Sequence, residues 1–247
     1  MALTAQIPAT KAAKRVAMSS TRKTALVAGV FYLLTFVSIP TLALYSPVKN
    51  QPDWVLSTGG HTGVLAGGLL EVIMALACIG TAVTLYPVVR RQNEGVALGF
   101  VAARILEAGL IFTGVVSLLS LVTLRQDLGE ASAATLVGIG ASHVAVYNWT
   151  FLLSQSLMPG INALLLGSLL FRSRLVPRFI PVLGLIGGPI LIASVVAALL
   201  RGDHQVTVLA AGFVPVAAWE FSLGVWLVVK GFKPSPITAA LDAPALR

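Results

Sequence analysis

The sequence predicts an all-α, polytopic membrane protein of six transmembrane helices, and three observations predict it. Of 247 residues, 57% are hydrophobic and only 11% are charged, with a mean hydropathy of +0.91, far from the balance of a water-soluble domain. The apolar residues gather into six runs, about 25–45, 63–86, 96–124, 144–171, 179–200 and 206–229, each long enough to cross a hydrocarbon core about 30 Å thick. Lys and Arg collect in the connections on one side. Only short connections remain between the runs, so no separate soluble domain is expected.

Taken in order, residues 1–24 carry Lys11, Lys14, Arg15, Arg22 and Lys23 without a long apolar core and read as a disordered basic tail. The run 25–45 exceeds a signal-peptide core of about 7 to 15 residues and is expected to serve as span one. The six-helix domain then covers 25–230, and 231–247 forms a second tail. Outside the spans, thirteen Lys and Arg lie on the side of the two tails and three, Lys49, Arg125 and Arg201, on the other. This asymmetry places both termini in the cytoplasm. Spans three and four have length to spare, so tilt or an interfacial extension is expected. Between them, the small and apolar residues 131–141 suggest a short surface helix.

The net charge of +8 does not point to nucleic acid, because the basic residues flank apolar runs instead of forming one face with interleaved aromatics. The expected partners are the lipid bilayer and another membrane protein or a second copy of the chain; any small-molecule ligand is left unnamed. Cys78 is the single cysteine. It excludes an internal disulfide, a Cys-x-x-Cys centre and a thiolate zinc site within one chain, and is expected to be a small buried filler.

Helix breakers fall inside the spans at Pro40, Pro159 with Gly160, Gly187 with Gly188 and Pro189, and Pro215. Each proline removes a backbone donor, and in lipid the freed carbonyl needs another partner. A weak internal echo accompanies them. Tyr32, Thr35 and Phe36 of span one recur as Tyr147, Thr150 and Phe151 of span four, while Gly99, Phe100, Val101 and Glu107 recur as Gly212, Phe213, Val214 and Glu220. Three spans per half would make this a 3+3 inverted repeat of the kind many transporters use. Spans two and five carry no matching echo.

Four ionisable residues fall inside spans: Glu71 on span two, Arg104 and Glu107 on span three, and Glu220 on span six. A charge at mid-bilayer costs roughly 2.5 to 3.5 kcal/mol even on lenient insertion scales, so these side chains should face one another or a wet cavity. At 1.5 Å per residue from the cytoplasmic helix ends, Arg104 lies about 13 Å deep, Glu220 about 14 Å, Glu107 about 17 Å and Glu71 about 22 Å. The four are therefore expected to form one buried polar centre. Arg104 and Glu107, three residues apart, share a helix face and can pair directly. Three carboxylates and one guanidinium are neutral only when protons are bound, which makes the centre either a structural hub around Arg104 or a proton or cation site. Asn148, Gln155 and Asn162 add amides to span four; they are expected to bond between helices or, near Pro159, to line a cavity.

His61, His143 and His204 fall at the external starts of the even-numbered spans by this reading. Three imidazoles at one face could hold zinc with Asp53, Asp127 or Asp203, but no H-E-x-x-H or other short ligand spacing occurs, so no cofactor or metal is expected. No phosphate-cradling glycine motif and no G-x-S-x-G is present.

The element Arg104-Ile-Leu-Glu107, the connection Ser173-Arg174-Leu175-Val176-Pro177-Arg178 and the ending Trp219-Glu220-x-x-Leu223-Gly224-x-Trp226-Leu227-x-x-Lys230-Gly231-Phe232 together resemble the bacterial membrane family catalogued as domain of unknown function 4386, over about residues 22 to 232. The resemblance implies a multi-pass protein of a bacterial inner membrane and carries no activity, cofactor or catalytic residue. Three functions stay open. The absence of catalytic motifs favours a structural or partner-binding subunit; the buried carboxylates and broken helices favour a proton-coupled carrier of a small solute; the external histidines suggest an intramembrane enzyme.

Overall fold

The computed structural model describes residues 18–127, 129–202 and 210–242. Among the described residues, six helices are long and apolar enough to cross a membrane: Ser20–Leu44, Thr62–Val89, Glu94–Gln126, Ala133–Ser173, Phe179–Leu200 and Ala211–Val229. Polar side chains set several of the starts. Ser19 accepts from the Arg22 amide, Asn93 from Val96 and Ser132 from Thr135, each supplying an acceptor to a first-turn N–H that has no partner within the helix. Span four ends where Arg174 turns left-handed, at φ 56°.

Each span packs on its neighbours in sequence, and span one packs on span six, which closes the bundle into a ring. Spans three and six share no packing seam. The Arg104–Glu220 ion pair links them across the middle. Where spans four and five cross, Gly160 and Gly188 bring the two backbones together: a Cβ on Gly188 would lie 2.8 Å from the Gly160 carbonyl oxygen, and one on Gly160 would lie 3.1 Å from the Gly188 oxygen. Small residues at such crossings let van der Waals contact replace the hydrophobic drive that lipid removes.

The breakers act differently from one another. Span one runs as an α-helix through Leu34, tightens to a 3-10 turn over Thr35–Ser38 and resumes at Thr41–Leu44 beyond Pro40. Thr35, Ser38 and Thr41 recur with the 3-10 period, and each hydroxyl donates to the carbonyl three residues before it, at 2.7, 3.3 and 2.6 Å. The break thus carries its own acceptors and donors. In span four a π-helical turn, Leu153–Leu157, precedes Pro159. Spans five and six stay helical through Pro189 and Pro215.

Three expectations change. Residues 131–141 are not a separate surface helix; from Ala133 they belong to the same helix as span four. Residues 20–24 of the basic tail form the first turn of span one. The second tail contains a helix, Pro236–Asp242, whose Asp242 accepts from the Thr21 hydroxyl at 2.5 Å and the Thr21 amide at 3.2 Å. Beside it, Arg22 donates to the carbonyls of Leu227 and Val228 at 2.8 and 2.6 Å. A guanidinium there meets the negative end of span six's helix dipole.

Two outcomes follow from this packing. Gly188→Ala should cost about 1–3 kcal/mol by overpacking, read as a lower unfolding temperature in detergent, whereas Gly109→Ala, where an added Cβ meets nothing within 4 Å, should leave it unchanged or raise it. The Thr21 hydroxyl and amide hold the Asp242 carboxyl below the usual carboxylate range. The docking this carboxylate supports is present above that range and is lost as pH falls through the lowered value. Spin labels at Met18 and Ala240 should therefore separate in acid, and Asp242→Ala should separate them already at neutral pH.

Candidate functional site

Two polar clusters lie inside the bundle. The first centres on Arg104, 1% exposed, which reaches from span three across the middle of the ring. Its Nη1 donates to Glu107 Oε2 at 3.1 Å, one helical turn along, and its Nη2 to Glu220 Oε1 of span six at 2.6 Å. Asn162 of span four donates to the same Glu107 oxygen at 2.7 Å. Cys78 of span two lies 3.5 Å from Nη1, so this thiol touches the guanidinium as well as filling space. The aromatic faces of Tyr32 and Phe100 stand 5.3 and 5.7 Å from the guanidinium carbon and give the cation a polarisable wall. Tyr32 packs edge-on to Trp219, and both rings are fully buried beside the cluster.

The second cluster holds Glu71, 1% exposed, on span two. Glu71 makes no ion pair with Arg104; instead it accepts from Tyr147 at 2.9 Å, Gln155 at 3.1 Å and Tyr45 at 3.3 Å. The single polar centre expected from helical depth is therefore two centres. The depths differ enough that Glu71 meets residues of the opposite membrane half. Gly67, one turn before Glu71, makes room for this: a Cβ there would collide with the Tyr45 ring. Neither tyrosine could be singled out from hydropathy, since a tyrosine at a span end is ordinarily read as an interfacial anchor.

A cavity of about 120 Å³ borders the first cluster and reaches the second only at Gln155. Arg104, Glu107, Glu220 and Gln155 all face it, along with the hydroxyl-bearing break Thr35, Ser38 and Thr41 and the phenyl groups of Phe36, Phe151 and Phe213. Of the acids, Glu220 keeps the most exposure, 12% of its side chain, against 1% for Glu107. Gln155 belongs to both regions, lining the cavity and bonding Glu71. It stands there because it is the central residue of the π turn.

Of the three amides considered for cavity lining, Gln155 lines this cavity and Asn162 bonds Glu107, whereas Asn148 opens onto a different cavity beside Lys49. His61 precedes the first turn of span two. His143 is not at the start of span four but well inside the helix Ala133–Leu152, with its ring nitrogen 3.2 Å from the Ser117 hydroxyl. His204 and Asp203 lie outside the described residues. Among the described residues, no three His, Cys, Asp or Glu side chains gather as a metal group.

Arg104→Ala should destabilise the protein by about 3–5 kcal/mol, because it leaves two buried carboxylates without their cation. Replacing all three charged groups together, with Arg104→Met, Glu107→Leu and Glu220→Leu, should recover much of that loss. Unfolding in detergent measures both, and an Arg104→Ala protein as stable as the wild type would remove Arg104 as the structural hub.

No curated protein and no solved structure matches the chain. The family described as domain of unknown function (DUF4386) matches residues 27–231, from the first span to the end of the sixth, and the chain belongs to that family.

Proposed function

We propose that this membrane protein is a proton-coupled carrier of a small solute, with Arg104, Glu107 and Glu220 as the group that takes up and releases the proton. The cavity at this cluster carries the reading. One guanidinium and two carboxylates sum to one negative charge when all are ionised, and a proton or a monovalent cation makes the group neutral. Charge imbalance of this kind inside a bundle is costly unless it is used. The interrupted parts of spans one and four form part of the cavity wall, as in carriers whose broken helices border a central site.

The internal echo supports the same reading. Span one packs on span six as span four packs on span three, and the two residues that the echo equates, Glu107 and Glu220, both meet Arg104. A 3+3 inverted repeat would put that guanidinium near the axis relating the halves. In this proposal the chain ends face the cytoplasm, a placement the distribution of Lys and Arg supports, and Glu71 is a second proton-bearing group linked to the cavity through Gln155.

A structural or partner-binding subunit is the second reading, favoured by the way Arg104 and its partners tie spans three, four and six together. Reconstitution separates the two. In liposomes carrying a pH-sensitive dye, a panel of small solutes should include one whose movement is coupled to proton movement, and Glu220→Gln should abolish the coupling while leaving the fold intact. Solute movement with unchanged pH dependence in Glu220→Gln overturns the carrier; no movement of any solute, together with stoichiometric co-purification of another membrane protein, establishes the subunit.

A further inference from the structure

On the side of the membrane opposite the chain ends lies a second cavity, of about 250 Å³. It sits between the short helix Ser46–Asn50, the 3-10 turn Trp54–Leu56 and spans three and four. Its walls are apolar, from Trp54, Val55, Leu121 and Gly140, and three polar side chains, Lys49, Gln51 and Asn148, open onto it. None of the three makes a side-chain hydrogen bond or ion pair among the described residues. The Lys49 ammonium instead rests 5.2 Å from the centre of the Tyr147 ring and 5.6 Å from that of Phe151.

The floor of this cavity is held in place. Trp54 is 5% exposed, and the Arg125 guanidinium stacks 4.1 Å from its ring centre. Arg125 is fixed in turn by the carbonyls of Ser57 and Gly59, at 2.5 Å each. Gly140 keeps the opposite wall low: a Cβ there would be in ordinary contact with Val55 at 3.7 Å, so a larger side chain would occupy the space. Burial draws the Lys49 ammonium below the usual lysine range, and the Glu71 carboxylate behind Tyr147 draws it part of the way back. An anion brought to Lys49 would restore what burial removes.

We propose that this cavity binds a small amphipathic carboxylate, its charged end at Lys49 and Asn148 and its apolar body against Trp54, Val55 and Leu121. A volume below the roughly 300 Å³ at the lower end of drug-sized pockets sets a short body. A lone cation and an amide on an apolar wall orient a ligand by its charged end, and most of the contact area is apolar. The site is separate from the Arg104 cluster and does not depend on the carrier reading.

Isothermal titration of the purified, detergent-solubilised protein with octanoate and with octan-1-ol tests it, since the two share a chain and differ in charge. Octanoate should bind at least about tenfold more tightly than the alcohol, and Lys49→Gln should erase that preference. Gly140→Leu, which fills the cavity and leaves Lys49 untouched, should abolish binding of both. Equal binding of acid and alcohol, or octanoate binding unchanged in Lys49→Gln, overturns the proposal. Repeating the titration in nanodiscs distinguishes the source of the anion. Octanoate binding that persists in phosphatidylglycerol supports a free carboxylate, and binding lost there but kept in phosphatidylcholine overturns it in favour of an anionic lipid.

Discussion

The pairing of Arg104 with Glu107 and Glu220 is the interaction on which the interior of this bundle depends. A guanidinium in hydrocarbon needs carboxylate partners, and here both terminal nitrogens find them from two directions: Nη1 along its own helix and Nη2 across the ring. The second direction matters more for architecture. Spans three and six are not neighbours in the ring, and the side chain of Arg104 ties them directly. Removing water from both partners is costly, and close geometry together with the Asn162 amide offsets that cost.

The helix interruptions are arranged around the same point. In a soluble protein, water would satisfy the carbonyl that Pro40 leaves without its helical donor; within a bilayer the 3-10 turn does so, the Ile39 amide donating to the Phe36 carbonyl at 3.2 Å, while the Thr35, Ser38 and Thr41 hydroxyls donate to the carbonyls of Tyr32, Thr35 and Ser38. The hydroxyl period matches the 3-10 turn because residues three apart eclipse in that geometry. A segment that meets its own polar requirements can border a cavity without collapsing into it, and this one does so opposite the cluster.

The six spans were legible in the sequence because their cause is compositional: hydrocarbon excludes charge over a fixed thickness, and that thickness appears as run length. Span five coincides with its apolar run, Phe179–Leu200. Span four departs from it because Ala133–Ala141 is too mild in hydropathy to extend the run, although Ser132 is a good helix start. The pairing of Arg104 with Glu107 could be anticipated from three-residue spacing on one helix. The separation of Glu71 could not, since it rests on Tyr45 lying against Gly67 and on Gln155 being turned toward span two, and neither distance along the chain nor hydropathy encodes such rotations. Cys78 is the buried filler its apolar run suggests, packed with Met74 and Ala75; its contact with the Arg104 guanidinium could not be read from the run.

The π turn at Leu153–Leu157 holds one residue more than an α-helical turn would, and this sets the angular phase between the two halves of span four. In a continuous α-helix each residue advances about 100°. Winding the same residues as an unbroken α-helix would therefore swing one half about that far relative to the other, so Tyr147 could not face Glu71 while Asn162 faced Glu107. The two clusters are coupled through the pitch of one helix, and the π turn takes up the extra residue that would otherwise set them out of phase.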